Sequence, residues 1–304
     1  MVRAARHRRA GSPTACGLVP ILAARPAVSM PRITVPVQPA APEATPRPAE
    51  RRELLPVRLT DPLRWLRSGW GDLRAAPGIA LFYGVCFWLM AVTLQAVFRN
   101  RPEYTISFVS GCFLVGPFLA LGLYEVSRRR EQGLPQSLGA SLTCWEGHLG
   151  SMGMLVLVLL LLELLWGRAS LVVFAVFFDT GMPTTANVVQ AVFNPRNWQF
   201  IGVYLLVGWV FAALVFSTCV VALPMILDRD TDAITAGLAS MQVVAMRTGP
   251  MVVWGALIVA LVLGAVLLPW AAGLLVIGPW LGHASWHAYR GSFAWRPADT
   301  ITPA

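Results

Sequence analysis

Six apolar stretches, at residues 79–98, 105–126, 149–166, 201–223, 251–270 and 271–289, govern what this chain can fold into. Most of them approach the roughly 20 apolar residues that carry a helix across about 30 Å of hydrocarbon. Lipid offers no water to backbone N–H and C=O groups, so each stretch is expected to be helical. Composition agrees, because hydrophobic residues make up 56% of the chain and charged residues 13%, too little polar surface for a soluble globule of 304 residues. The expectation is an all-α membrane protein with six transmembrane helices, and the lipid bilayer is its first partner.

All 24 basic residues are arginine and the formal net charge is +9, a balance that would also suit nucleic acid. Their placement argues otherwise. Arg51, Arg52, Arg58, Arg64, Arg67 and Arg74 precede the first span; Arg128, Arg129 and Arg130 follow the second; Arg229 and Arg247 follow the fourth; Arg290 and Arg296 follow the sixth. Arginine therefore crowds the connections of one side. The positive-inside rule then places both termini in the cytoplasm of a bacterial cell, with the protein multi-pass in the inner membrane, the loop at 179–197 outside and no nucleic-acid partner.

Residues 1–52 are rich in Pro, Ala and Arg without a sustained apolar period, the composition of a disordered tail. A secretory signal is considered there and set aside, since Pro20 interrupts the short apolar run at 16–24 and Arg25 follows it. Met30 is an alternative start. The transmembrane domain is expected over 53–291, with a short tail at 292–304. The five cysteines, Cys16, Cys86, Cys112, Cys144 and Cys219, form no CxxC pair and read as small packing residues.

The ordered part repeats one arrangement three times: an amphipathic approach helix, a span, a turn, and a second span with a proline in its cytoplasmic half. Leu59, Leu63, Leu66, Trp70 and Leu73 recur at helical spacing in the first copy, where Asp61-Pro62 offers an N-cap and a first-turn proline. Leu138, Leu142, Trp145 and Leu149 do the same in the second, and Ile234, Leu238, Met241 and Ala245 in the third. Pro117, Pro224 and Pro279 mark the second spans. Three helical hairpins around a pseudo-threefold axis are one reading, and six unrelated spans the other. The apolar segment 170–178 is expected as a kinked or interfacial extension on the outer side, and a tight outer turn is required at 268–273.

Counting from the three prolines aligns the polar residues. Four positions on lie Leu121, Asp228 and His283; eight positions on lie Glu125, Asp232 and His287. Residues four apart share a helix face, so Glu125, Asp228, Asp232, His283 and His287 could converge on a transition metal or haem. The plainer reading leads: residues 228–232 form a loop that caps the third approach helix, Glu125 pairs with Arg128 or Arg129, and the two histidines hydrogen-bond at the interface beside Trp286 and Tyr289. His148 is alone on an amphipathic helix. Glu163, near the outer end of the third span, is costly in lipid unless it faces protein or water, and Arg168 is its nearest candidate partner. Gly202, Gly208, Trp209, Trp254, Gly255 and Gly264 read as close helix packing and interfacial anchoring. The chain has no Walker motif, dinucleotide-binding turn, HExxH or GxSxG.

Three phrases carry a family resemblance: Gly116 to Glu125 (GPFLALGLYE), Leu223 to Asp230 (LPMILDRD) and Gly282 to Arg290 (GHASWHAYR). Over roughly residues 63–290 the chain resembles the prokaryotic integral membrane family known as domain of unknown function 2189. Some members of that family carry the label of cytochrome c oxidase subunits. A haem–copper catalytic subunit would need about twelve spans and several intramembrane histidines, which this sequence does not offer. The expected role is a non-enzymatic structural, accessory or small-molecule-handling membrane component. The alternatives are a metal- or haem-binding protein accessory to respiratory complexes, using His283 and His287, and a small transporter. A homo-oligomer or a larger membrane complex is compatible with each.

Overall fold

The computed structural model describes residues 50–101, 104–178, 191 and 194–297, with only the backbone described at 50, 51, 106, 113 and 297. Residues 1–49, most of the expected outer loop at 179–197, and residues 298–304 lie outside the described residues. Among the described residues are ten α-helices and two short strands. They are β1 (Glu50–Leu54), α1 (Asp61–Ala75), α2 (Pro77–Asn100), α3 (Thr105–Glu131), α4 (Leu138–Thr143), α5 (Leu149–Phe177), α6 (Trp198–Cys219), α7 (Ala222–Arg229), α8 (Ala233–Met246), α9 (Thr248–Leu267), α10 (Leu274–Ser292) and β2 (Phe293–Pro297).

Among the described residues five helical runs are long and apolar enough to cross a membrane: α2, α3, the run containing α5, the run containing α6, and α9. The expected sixth span falls on α10, which at 19 residues is helical but not among those five. Its polarity has a physical reason. Pro279, Leu281, His283, Ala284, Trp286, Ala288, Tyr289 and Ser292 are buried, and α10 packs on α1, α2, α3 and α9. A helix enclosed by protein can carry imidazoles that a lipid-facing helix could not.

The hairpins are α2–α3, α5–α6 and α9–α10. Each passes its second helix to the approach helix of the next: α3 packs on α4, α6 and α7 pack on α8, and α10 packs on α1. The first spans follow the same order, with α10 against α2, α3 against α5, and Phe216 of α6 lying on Gly255 of α9. The three proline-bearing helices, α3, α7 and α10, touch one another. A threefold repeat of approach helix and hairpin produces this cyclic pattern. The copies differ at the proline. Pro117 and Pro279 lie inside continuous helices, whereas Pro224 is the third residue of α7, just past a break after Cys219. At that break Ser240 Oγ accepts from Val221 N–H at 3.3 Å, so a side chain on α8 satisfies a backbone group that the helix has released.

Two other local expectations are corrected. Residues 149–177 form one continuous 29-residue helix instead of a span with a separate extension; nothing between Trp166 and Ser170 breaks it, and Ser170 Oγ donates to Gly167 O within the turn. Thr60, not Asp61, is the capping position of α1, and the Asp61 carboxylate instead accepts from Arg58 N–H at 2.7 Å. The turn at 268–273 is as tight as required. Trp270 and Ala271 both take left-handed φ, 58° and 54°, and Trp88 Nε1 donates to Trp270 O at 2.9 Å. Glycine is needed where the backbones meet: a Cβ on Gly69 would lie 2.6 Å from Ala284 N, and one on Gly84 would collide with Leu275 O.

Strands β1 and β2 pair antiparallel, Arg52 opposite Trp295. They bring together residues 50–52 and 293–297, which the sequence reading assigned to the two tails. Arg247 Nε donates to Leu55 O at 3.1 Å and Arg229 stacks over Trp295, so the ribbon is tied to α7 and to the start of α9. Beneath it sits the main core, with Trp65, Trp254, Trp286, Tyr289 and Met225 almost wholly buried.

Candidate functional site

Two places gather chemistry, a polar cluster at the ribbon end of the helices and an apolar cavity near their middle. The cluster is built where α1 crosses α10. The buried stripe of α1 is Pro62, Trp65, Leu66, Gly69 and Asp72, one residue round from the expected apolar stripe, whose Leu59 and Leu63 stay exposed. Asp72 therefore points inward. It takes an ion pair from Arg130 of α3 and a 2.8 Å hydrogen bond from His287 Nε2 of α10. Burial pushes its carboxyl up, but the contacts with His287 and Ser127 and the nearby imidazoles outweigh this and hold it below its ordinary value. Ser127 Oγ is 2.8 Å from His283 Nδ1, and His283 is fully buried.

The five candidate metal ligands are spread over separate tasks. Glu125 pairs with Arg128 at 2.7 Å and Arg129 at 3.8 Å. Asp228 accepts from Tyr289 Oη at 2.7 Å and from Arg229 at 3.1 Å. Asp232 caps α8 by accepting from Thr235 N–H at 2.9 Å, which lowers its carboxyl from the ordinary value. His287 serves Asp72 and His283 serves Ser127. Among the described residues no three His, Cys, Asp or Glu side chains form a group that could hold a metal ion. Each of the five is engaged with another group in this arrangement, and His283 Nε2 is buried with no side-chain partner. His148 is not isolated: its Nε2 lies 2.7 Å from Asp230. No sequence signal marks Asp72, a polar residue within an amphipathic helix.

The cavity, about 480 Å³, lies between α3, α5 and α6. Its wall includes Val109 of α3, Glu163 and Trp166 of α5, and Phe211, Ala212 and Phe216 of α6. It exists because α6 presents Gly208 and Ala212, four apart on one face, where larger residues would fill the space. A Cβ on Gly208 would meet only Trp166 Nε1, at 3.7 Å, and Gly202 and Gly264 have nothing within 4 Å, so these glycines do not serve close packing. Nor is Trp254 an interfacial anchor; it is fully buried, whereas Trp209 is exposed.

Glu163 is the one ionisable residue among the described residues of the cavity wall. Because α5 continues to Phe177, it stands at the middle of its helix and not near an end. Among the described residues its partner is Ser110 of α3, whose Oγ donates to Oε2 at 2.8 Å, and not Arg168. Its second oxygen takes no hydrogen bond from a described residue and is not sealed from open space.

Residues 105–228 match the family described as predicted integral membrane protein (DUF2189), the family that the three phrases resemble. The matched segment runs from α3 to α7 and contains every residue of the cavity wall. No curated protein and no solved structure matches the chain.

Proposed function

We propose that this integral membrane protein is a non-enzymatic component that receives a small, largely apolar molecule in the cavity between α3, α5 and α6. One observation carries the reading: a cavity of about 480 Å³, within the ordinary range of about 300–1,000 Å³ for ligand sites, has an apolar wall with a single buried polar anchor. Arginines of the ribbon end support a cytoplasmic placement for both termini. In a cysteine-free background, a membrane-impermeant maleimide is expected to label Thr185→Cys in intact cells and Gln132→Cys only after permeabilisation. The opposite pattern would invert the orientation.

The cavity is tested by photolabelling in liposomes with a decanol that carries a diazirine on its chain. Saturable labelling should map to the wall of α3, α5 and α6, be displaced by unlabelled decanol, and vanish in the cavity-filling variant Ala212→Trp. Labelling no stronger there than on lipid-facing α9, and indifferent to the substitution, would overturn the reading. Metal or haem ligation is a second reading, favoured by the buried Nε2 of His283, which no side chain engages. Stoichiometric metal in the purified protein, lost in a His283→Ala/His287→Ala double variant, is the result it requires.

A further inference from the structure

The Glu163 carboxylate in the cavity wall narrows the ligand to one chemical class, an inference that rests on the cavity being a binding site. Glu163 is the fifteenth residue of the 29-residue α5, about 21 Å along the helix at 1.5 Å per residue. That depth is inside the hydrocarbon whichever end is taken as the start. Carboxylates at such depth are costly, and they face partners, ion paths or ligands.

The protein supplies only part of what this carboxylate needs. Ser110 satisfies one oxygen, while among the described residues no arginine or histidine lines the cavity. The second oxygen takes no hydrogen bond from a described residue and is not sealed from open space, and Glu163 as a residue is 8% exposed. Trp166, Phe211 and Phe216 line the same space. A carboxylate among aromatic rings in a dry site favours an alkylammonium head, which the rings attract by cation–π interaction and the carboxylate by charge. The rest of the wall, Val109, Leu162 and Val215, suits an alkyl chain.

We infer that the cavity binds an amphiphilic monocation, with its ammonium head held by Glu163 and the neighbouring rings and its chain among the aliphatic residues. Two diazirine probes separate this from general apolar binding: a decyltrimethylammonium and its neutral isostere, in which a carbon replaces the nitrogen. In wild-type protein in liposomes the cation should reach half-saturation at a concentration lower by about tenfold or more, the worth of a desolvated ionic and cation–π contact. Glu163→Gln keeps the volume and the Ser110 contact, and should remove that preference while leaving the neutral probe unchanged. Trp166→Leu should weaken the cation alone, by a few-fold. Equal half-saturation of the two probes in the wild type, or a preference that survives Glu163→Gln, would overturn the cation assignment and leave the cavity as a site for neutral molecules. No saturable labelling by either probe would overturn both readings.

Discussion

Replacing Asp72 with alanine is expected to lower the unfolding free energy by about 3 kcal/mol, because it strands two partners that were arranged around a buried charge. Its side chain is 6% exposed, and it joins α1 to α3 through Arg130 and to α10 through His287. The estimate stays at the low end of what removing a buried ion-pair partner costs, since the Arg130 side chain is 42% exposed and can turn to water. His287→Ala should cost less, about 1 kcal/mol, as Asp72 would keep Arg130. The pH dependence has a definite sign. The folded carboxyl titrates below the ordinary value of 3.8, so its contribution is fully present above the unfolded value and is lost as pH falls through the folded one. The gap between wild type and Asp72→Ala in thermal unfolding should therefore hold from pH 7 down to about 4 and narrow below that. A gap under about 0.5 kcal/mol at pH 7 would show that the cluster is only a set of solvated surface pairs.

Trp254→Ala should cost about 3–5 kcal/mol, the usual range for emptying a fully enclosed aromatic site. Trp254 is 0% exposed and meets the edge of Trp65 at 5.7 Å. Its Nε1 has no hydrogen-bond partner, so the loss is one of packing between α9 and α1. Trp254→Phe should recover a large part of it. Denaturant unfolding in mild detergent reads both variants; equal stability of Trp254→Ala and wild type would mean that α1 does not pack there.

The spans and hairpins were legible in the sequence because hydrocarbon thickness and helical rise fix the length of an apolar run. The inner proline phrases also located the three helices that meet. Asp232 as a cap and Glu125 as the partner of Arg128 followed from local spacing alone. What was missed depended on rotation or on distance in the chain. Asp72 lies in line with Trp65 and Gly69 on α1, a stripe set by the contact with α10 and not by apolarity, since Leu59 and Leu63 are the more hydrophobic side. The five proposed ligands share register from their prolines, yet α7 ends at Arg229 with Asp230 in the left-handed region, so Asp232 lies beyond the helix of its proline while Glu125 and His287 stay within theirs, and equal counting does not give equal direction. Strands β1 and β2 pair across more than 200 residues of sequence, and neither has the alternating pattern that marks a strand by itself. Glu163 was visible, but its depth was misjudged because the apolar run beyond Trp166 was separated from the helix it extends.

The most direct measurement images the cavity with its occupant. Protein crystallised or reconstituted with a decyltrimethylammonium brominated at the chain end should show bromine density, by anomalous scattering, inside the space between Val109, Leu162 and Val215, with the ammonium beside the free oxygen of Glu163. Ala212→Trp should remove that peak. Bromine found only along the lipid-facing surfaces, with the cavity empty or closed at saturating ligand, would contradict the account.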